Sequence, residues 1–201
     1  MNLAFCDLLG IGLSVFDNSL FIPHHPSADE KIVADHSIQS LGGPACIGTL
    51  TANRLGLKTV LISASADDYP GHYIQNKQKS YSNHTLISLK TDLTPQASIL
   101  INKNGERSVI ATLAKTVEKT KIKCTKPPKY ILLDGRYVDV CFDMIMDLKK
   151  QGSQIILDAG SVNPGVMTIL AHVDILIASK KFAFNYTNHH NIDQVMDQLQ
   201  Q

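Results

Sequence analysis

The stretch "SLGGPACIGTLTANRLG", residues 40 to 56, sets two glycines, Gly42 and Gly43, directly before a helical pattern of small residues. Without a Cβ the backbone takes positive φ and lets a ligand approach the main chain, and the helix that follows points free N–H groups at whatever sits there. A tight strand-to-helix turn is the competing reading of the same residues. Asp134 and Arg136 lie just beyond an apolar run, on the carboxyl-end side where open α/β sheets place ligands. The planar guanidinium fork of Arg136 suits a phosphate, although an ordinary surface pair accounts for the two residues as well. The histidine pairs His24-His25 and His189-His190 raise metal binding, but adjacent residues face opposite ways on a strand and diverge by about 100° on a helix. Neither pair alone makes a metal site, and no metal ligand set is assigned.

Composition narrows the partner. Nineteen Lys and Arg against eighteen Asp and Glu give a net charge of +1, so nothing global favours nucleic acid or an anionic membrane. A small molecule is the expected ligand. At 201 residues and 44% hydrophobic the chain can bury a sizeable core, and one domain is the default. Cys6, Cys46, Cys124 and Cys141 stand far apart without a Cys-x-x-Cys pair, which fits a reducing cytoplasm better than a zinc site or a disulfide framework. The opening "MNLAFCDLLGIGLSVF" lacks a basic leader and carries Asp7 inside the apolar run, so it reads as a buried strand and not as a signal peptide. No apolar stretch reaches the roughly 18 residues of a membrane helix.

The elements that must position these residues alternate. Apolar runs at 3 to 12, 58 to 65, 129 to 134, 154 to 160 and 173 to 179 are separated by helical patterns at 45 to 55, from 71, and at 138 to 152. That rhythm predicts a doubly wound α/β core around a mostly parallel sheet. Residues 14 to 39 and 96 to 113 break it: they read as strands without intervening helices, the second a hairpin turning at Asn104-Gly105. They predict a small second sheet projecting from the core, whose apolar face needs a ligand, the core or a second copy to cover it. The segment 115 to 129, with six Lys and one Glu, reads as a solvated connector ended by Pro127-Pro128.

Taken in order, the motifs resemble those of the PfkB (ribokinase-like) carbohydrate kinases. "GGPACIGTLTANRLG" resembles the family's first diagnostic motif, "GIGLSVFD" (10 to 17) its first strand with a sugar-binding Asp, "ADDYPG" (66 to 71) its Gly-Asp-Asp-x-x-Gly turn, and "NGERSVI" (104 to 110) its returning lid strand. "LLDGRY" (132 to 137) is similar to the Glu-Gly-Arg-Asn of ketohexokinases, and "ILDAGSVNPG" and "VDILIASKKFA" resemble the next two strand ends.

The resemblance implies an α/β domain over residues 1 to 201 with a β lid, built from about 14 to 39 and 96 to 113, that closes over a sugar or nucleoside and often pairs with a second subunit. It implies ATP and Mg2+ as cofactors. It assigns Asp17 to two sugar hydroxyls, a role that suits an acceptor-only carboxylate, although a solvated loop Asp is the alternative. Gly42, Gly43 and Asp134 join it on the substrate side. Arg136, Asp158 and Ser179 fall on the phosphate or nucleotide side, where Asp158 could orient magnesium-bound water or cap a helix. Ile47 stands where the family commonly has a sugar-contacting Asn, and an alkyl group there would strand a hydroxyl at roughly 1 to 3 kcal/mol. Ser179 and Phe182 replace the Asn and Glu of an Asn-x-x-Glu magnesium motif.

Phosphoryl transfer needs a base and an anion hole, which the family combines in a Gly-Ala-Gly-Asp motif. This sequence has none, and on the resemblance the last third of the fold is missing. The expectation is therefore the substrate-and-lid portion of a kinase, inactive as this chain, with a non-catalytic polyol-binding or dimerising remnant as the competing reading. A nicotinamide dehydrogenase is a third, disfavoured reading: Gly10-x-Gly12 is followed by Val15 where the fingerprint needs a third glycine, and by an extended segment where it needs a helix.

Overall fold

The computed structural model describes residues 2–124 and 126–199. The first apolar run splits into β1 (Asn2–Leu3) and β2 (Leu8–Ile11), where a single strand over 3 to 12 was expected. The break falls at Asp7, whose carboxylate accepts from Lys58 N at 2.8 Å and whose own N–H donates to Lys58 O. Next come β3 (Val15–Phe21), β4 (His36–Gly42), α1 (Pro44–Arg54), β5 (Thr59–Ser65), α2 (Tyr69–Gln78), β6 (His84–Lys90), β7 (Gln96–Ile101) and β8 (Arg107–Thr112). Helix α2 starts two residues before the expected Gly71, because Asp68 accepts from Gly71 N at 2.8 Å and Pro70 suits the first turn.

The lysine-rich segment is less free than expected. It contains β9 (Lys123–Cys124), which pairs in parallel with β1, and Val117 bridges to Thr91. The remainder is β10 (Tyr130–Leu133), α3 (Val138–Lys150), β11 (Gln154–Ala159), α4 (Pro164–Ile169) with a 3₁₀ turn Leu170–His172, β12 (Ile175–Ala178), α5 (Lys180–Thr187) and α6 (Ile192–Leu199).

The main sheet has six parallel strands in the order β12-β11-β10-β2-β5-β6. From the centre the chain winds one way through α1 and α2 and the other way through α3 and α4, which bears out the doubly wound reading. Both faces are covered. Leu9, Ile11, Val60, Ile62, Ile131 and Leu133 pack with Cys141, Ile145 and Leu148 of α3, while Leu61 packs with Ala45, Cys46 and Leu50 of α1. Burying two faces explains why β5 is buried at all seven positions and why its sequence runs continuously apolar and small. Among the described residues no helix is long and apolar enough to cross a membrane.

The small sheet has the order β4-β3-β7-β8, with β3 antiparallel to β4, parallel to β7, and β7 antiparallel to β8. Because strand residues alternate between faces, Phe16 lies opposite Asp17. Phe16 meets the rings of Tyr69 and Tyr73 edge-on at 5.7 and 5.0 Å, and Tyr73 donates to Gln39 O at 2.8 Å. These contacts hold β3 and β4 against α2. The register puts Ile38, Ile99 and Val109 on the Asp17 face, where Ile38 is 50% and Val109 54% exposed.

A partly buried polar chain links β5, β6, α2 and the turn before β3. Thr59 Oγ1 meets His84 Nδ1 at 2.9 Å, His84 Nε2 meets Gln78 Oε1 at 2.9 Å, and Gln78 Nε2 donates to Ser14 Oγ at 3.1 Å. Since Gln78 Oε1 can only accept, Nε2 of His84 carries a proton, and burial favours the neutral ring over the charged one. Burial pushes the imidazole down to about 4 from its ordinary 6.5. The unfolded chain therefore takes up this proton first, so stability is full above about pH 6.5 and falls as the pH drops towards 4. Discounted for the partial exposure of the ring, the expected loss is on the order of 2 kcal/mol, read as a fall in the urea midpoint on acidification that His84→Gln flattens. A midpoint as steep between pH 6.5 and 4 in His84→Gln as in wild type would remove His84 as the cause.

Candidate functional site

Strands β2 and β10 are neighbours whose onward connections diverge, so the crevice beyond their carboxyl ends is the topological switch point of the sheet. Asp134 closes its floor. The side chain is 8% exposed, and its carboxylate accepts from Leu13 N at 2.8 Å, Ala45 N at 3.2 Å and Arg136 N at 3.0 Å. Burial pushes its carboxyl above the usual range, against the pull of those three amides. One carboxylate thus ties the turn into β3, the start of α1 and the turn after β10.

That arrangement alters the expected role of α1. Pro44 has no N–H, Ala45 N bonds to Asp134, and Cys46 N donates to Leu13 O at 3.1 Å. The first-turn amides of the helix are occupied by protein groups, with the Asp134 carboxyl as the resident acceptor. What the double glycine leaves open is backbone and space. Gly43 has φ 94, and a Cβ there would stand 2.3 Å from Leu13 O. Gly42 faces Asp17, whose Oδ2 would lie 2.0 Å from a Cβ on residue 42.

Asp17 stands on the third pair of the β3–β4 ladder, opposite Ser40. Among the described residues its half-buried carboxylate has no hydrogen-bond or ion-pair partner, and burial pushes its carboxyl above the usual value. A desolvated carboxylate left unpartnered at a sheet end has the character of a binding group waiting for donors. The glycines separate two effects. Gly43→Ala is expected to lower stability by about 2 kcal/mol or more, because a Cβ at positive φ meets backbone. Gly42→Ala is expected to keep the fold and displace the Asp17 carboxylate. Thermal unfolding of both variants checks this, and equal losses would contradict it.

The other expected residues are placed as follows. Arg136, with Leu13, Tyr137, Asn163 and Gly165, lines a cavity of about 350 Å³ across the carboxyl ends of β2, β10 and β11. Asp158 is half-buried in β11, with its carboxyl raised by burial. The Ser179 hydroxyl caps α5, accepting from Phe182 N at 3.0 Å and donating to Gly160 O at 2.9 Å. Phe182 is fully buried against Tyr186. Ile47 is 45% exposed and lines a separate groove between β4, α1 and α2. The structure thus groups Asp17, Gly42, Gly43 and Asp134 at one end of β2 and β3, sets Arg136 beside the adjoining cavity, and leaves Ser179 to a helix cap.

Three contributions had no clear signal in the sequence. Leu13 acts through its backbone, donating to Asp134 and accepting from Cys46. Thr94 anchors the approach to β7, donating its hydroxyl to Asp68 at 2.6 Å while accepting from Ala66 N. Tyr137 holds φ 58 between Arg136 and α3, a left-handed conformation rare for an aromatic residue. An Asn or Gly would have flagged that turn.

Among the described residues no group of three or more His, Cys, Asp or Glu is placed to hold a metal ion. With Asp158 isolated and the Ser179 hydroxyl committed to its cap, the residues present do not compose a Mg2+–ATP site, and no chemical step is derived through one.

No protein-family model matches the chain, and no curated protein matches it by sequence. Solved structures do match. A candidate ribokinase from Agrobacterium tumefaciens superposes with a TM-score of 0.82 at 21% identity, over 98% of this chain and 66% of that one. The fold is that of the ribokinases. Arabidopsis thaliana ribokinase, solved with ribose and ATP, matches at TM-score 0.74 and 18% identity, over 96% of this chain and 67% of its own. A nucleoside kinase from Methanocaldococcus jannaschii, an archaeal member of the ribokinase family, matches at 0.65 and 16%, over 93% and 66%. The chain therefore spans about two-thirds of the length of these ribokinase-fold proteins.

Proposed function

We propose that this chain is the acceptor-binding and lid portion of a PfkB-type kinase for a small sugar or nucleoside, nearest in its motifs to the ketohexokinases, and that it does not transfer phosphate by itself. The observation that carries the reading is Asp17: a half-buried carboxylate without a protein partner among the described residues, facing Gly42 on the face of the small sheet that carries Ile38, Ile99 and Val109. An ionised carboxylate offers two acceptor oxygens, so adjacent hydroxyls satisfy it together. The β4-β3-β7-β8 sheet acts as the lid, and Arg136 holds the phosphate side of the adjoining cavity. Asp134 works here as the residue that fixes the turns around the substrate.

The inactivity rests on chemistry absent from the sequence, which contains no Gly-Ala-Gly-Asp, and on the lack of a metal-holding cluster of His, Cys, Asp or Glu among the described residues. ATP and Mg2+ belong to the complete catalytic unit. A coupled ADP-release assay on the pure 201-residue chain is expected to show no sugar-dependent turnover. Turnover above the no-sugar background would overturn this part.

A second reading, a polyol-binding remnant that dimerises through its lid, is favoured by the exposed Ile38 and Val109 on the Asp17 face. Sedimentation equilibrium is expected to show a dimer that Val109→Asp dissociates; a monomeric wild type at high concentration would count against it. The cytoplasm is the proposed location, in keeping with four free cysteines.

A further inference from the structure

We propose that the groove between β4, α1 and α2 binds a small phosphomonoester with an apolar or ring-shaped body, at a site separate from the Asp17 crevice. The groove has a volume of about 300 Å³ and an apolar floor of Leu41, Ile47 and Leu50. Two cations converge on it. The Arg54 guanidinium lies 5.1 Å from the centre of the Tyr81 ring and donates to Tyr81 Oη at 2.9 Å, and the Lys77 ammonium lies 5.4 Å from the centre of the Tyr73 ring.

No acidic residue lines the groove, and among the described residues neither cation has a carboxylate partner. Each sits in the last turn of its helix, where the macrodipole favours a positive charge. That accounts for a basic residue at each position. It does not account for both turning onto tyrosines that border one groove. Held this way, Arg54 spends one of its donors on Tyr81 and keeps the rest, and Lys77 has no hydrogen-bonded acceptor among the described residues, so two pre-positioned charges remain for a dianion. The rings and the leucine floor suit a ligand whose remainder is flat or apolar. Strand β4 supplies one wall, so an occupant spans the small sheet and the core.

Phenyl phosphate is the probe. Titrated into the full chain and followed by the tyrosine ring signals in NMR, it is expected to saturate, to bind more weakly as salt rises, and to shift Tyr73 and Tyr81. Arg54 and Lys77 are exposed, so the double variant Arg54→Gln/Lys77→Gln is expected to fold, as circular dichroism checks, and to weaken binding about tenfold or more. Arg136→Gln and Asp17→Ala are expected to leave this affinity unchanged, which separates the groove from the crevice. Phenol is expected not to bind, and inorganic phosphate to bind more weakly than the ester. The proposal is overturned by any of four results: no saturation, undiminished binding in the double variant, loss of binding in Arg136→Gln, or inorganic phosphate matching phenyl phosphate.

Discussion

Asp134→Ala is expected to cost about 3 to 5 kcal/mol of folding stability, a large part of the 5 to 15 kcal/mol that holds a typical domain together. The change strands three amides at once, the buried one of Ala45 and the part-buried ones of Leu13 and Arg136, and each unsatisfied buried donor costs roughly 1 to 3 kcal/mol, less than additively. Asp134→Asn keeps one acceptor oxygen and most of the volume, so it should lose about half as much. Urea denaturation followed by circular dichroism separates the three proteins. An alanine variant with the wild-type midpoint would show that the amides find other partners and that Asp134 does not fix these turns.

Asp17→Ala is the mirror case, with a large effect on binding and little on stability. Two charge-assisted hydrogen bonds from adjacent hydroxyls, weighed against release of bound water, put the loss of affinity at about 2 to 3 kcal/mol, or roughly 30- to 150-fold. Because the carboxylate is desolvated without a protein partner, removing it should leave the unfolding midpoint unchanged or slightly higher. The pH dependence has a definite sign. Burial raises this carboxyl, binding needs its ionised form, and affinity should therefore fall on acidification sooner than for an ordinary exposed Asp. A ligand whose affinity survives Asp17→Ala binds elsewhere.

Much of the fold was legible because its signals are local. Continuous apolar runs marked β5, β10 and β11 as strands, of which β5 is buried at every position, and Asn104-Gly105 marked the β7–β8 turn, where Gly105 takes φ 79. Strand β6 was missed: it is a sheet edge of mixed burial, so "HTLISLK" carries neither a continuous apolar run nor a clean alternation. The short helices α4 and α5 were missed as well, although Asn163 and Ser179 each cap one. With Pro164 following it, Asn163 carried the sequence signature of a helix start.

For the proposed site, Gly42 and Gly43 stand out in the sequence by type and spacing, and Asp17 only through the family resemblance. The division of labour between Asp17 and Asp134 was not. Both are strand-end carboxylates in the sequence, and only the long-range contacts of Asp134, to Leu13 and Ala45, reveal that one is consumed by the backbone and the other left open. The occupied N-terminus of α1 follows from the same contacts, since no local signal reports that Cys46 N reaches Leu13 O.

The most direct test of the account is isothermal titration of the 201-residue chain with a panel of pentoses, ketohexoses and nucleosides, each paired with an analogue lacking one hydroxyl of its vicinal diol. The account predicts that at least one diol binds saturably, that its deoxy analogue binds about tenfold or more weakly, and that Asp17→Ala and Gly42→Ala abolish the difference. Heat from no member of the panel, or a diol preference that persists in Asp17→Ala, would contradict it.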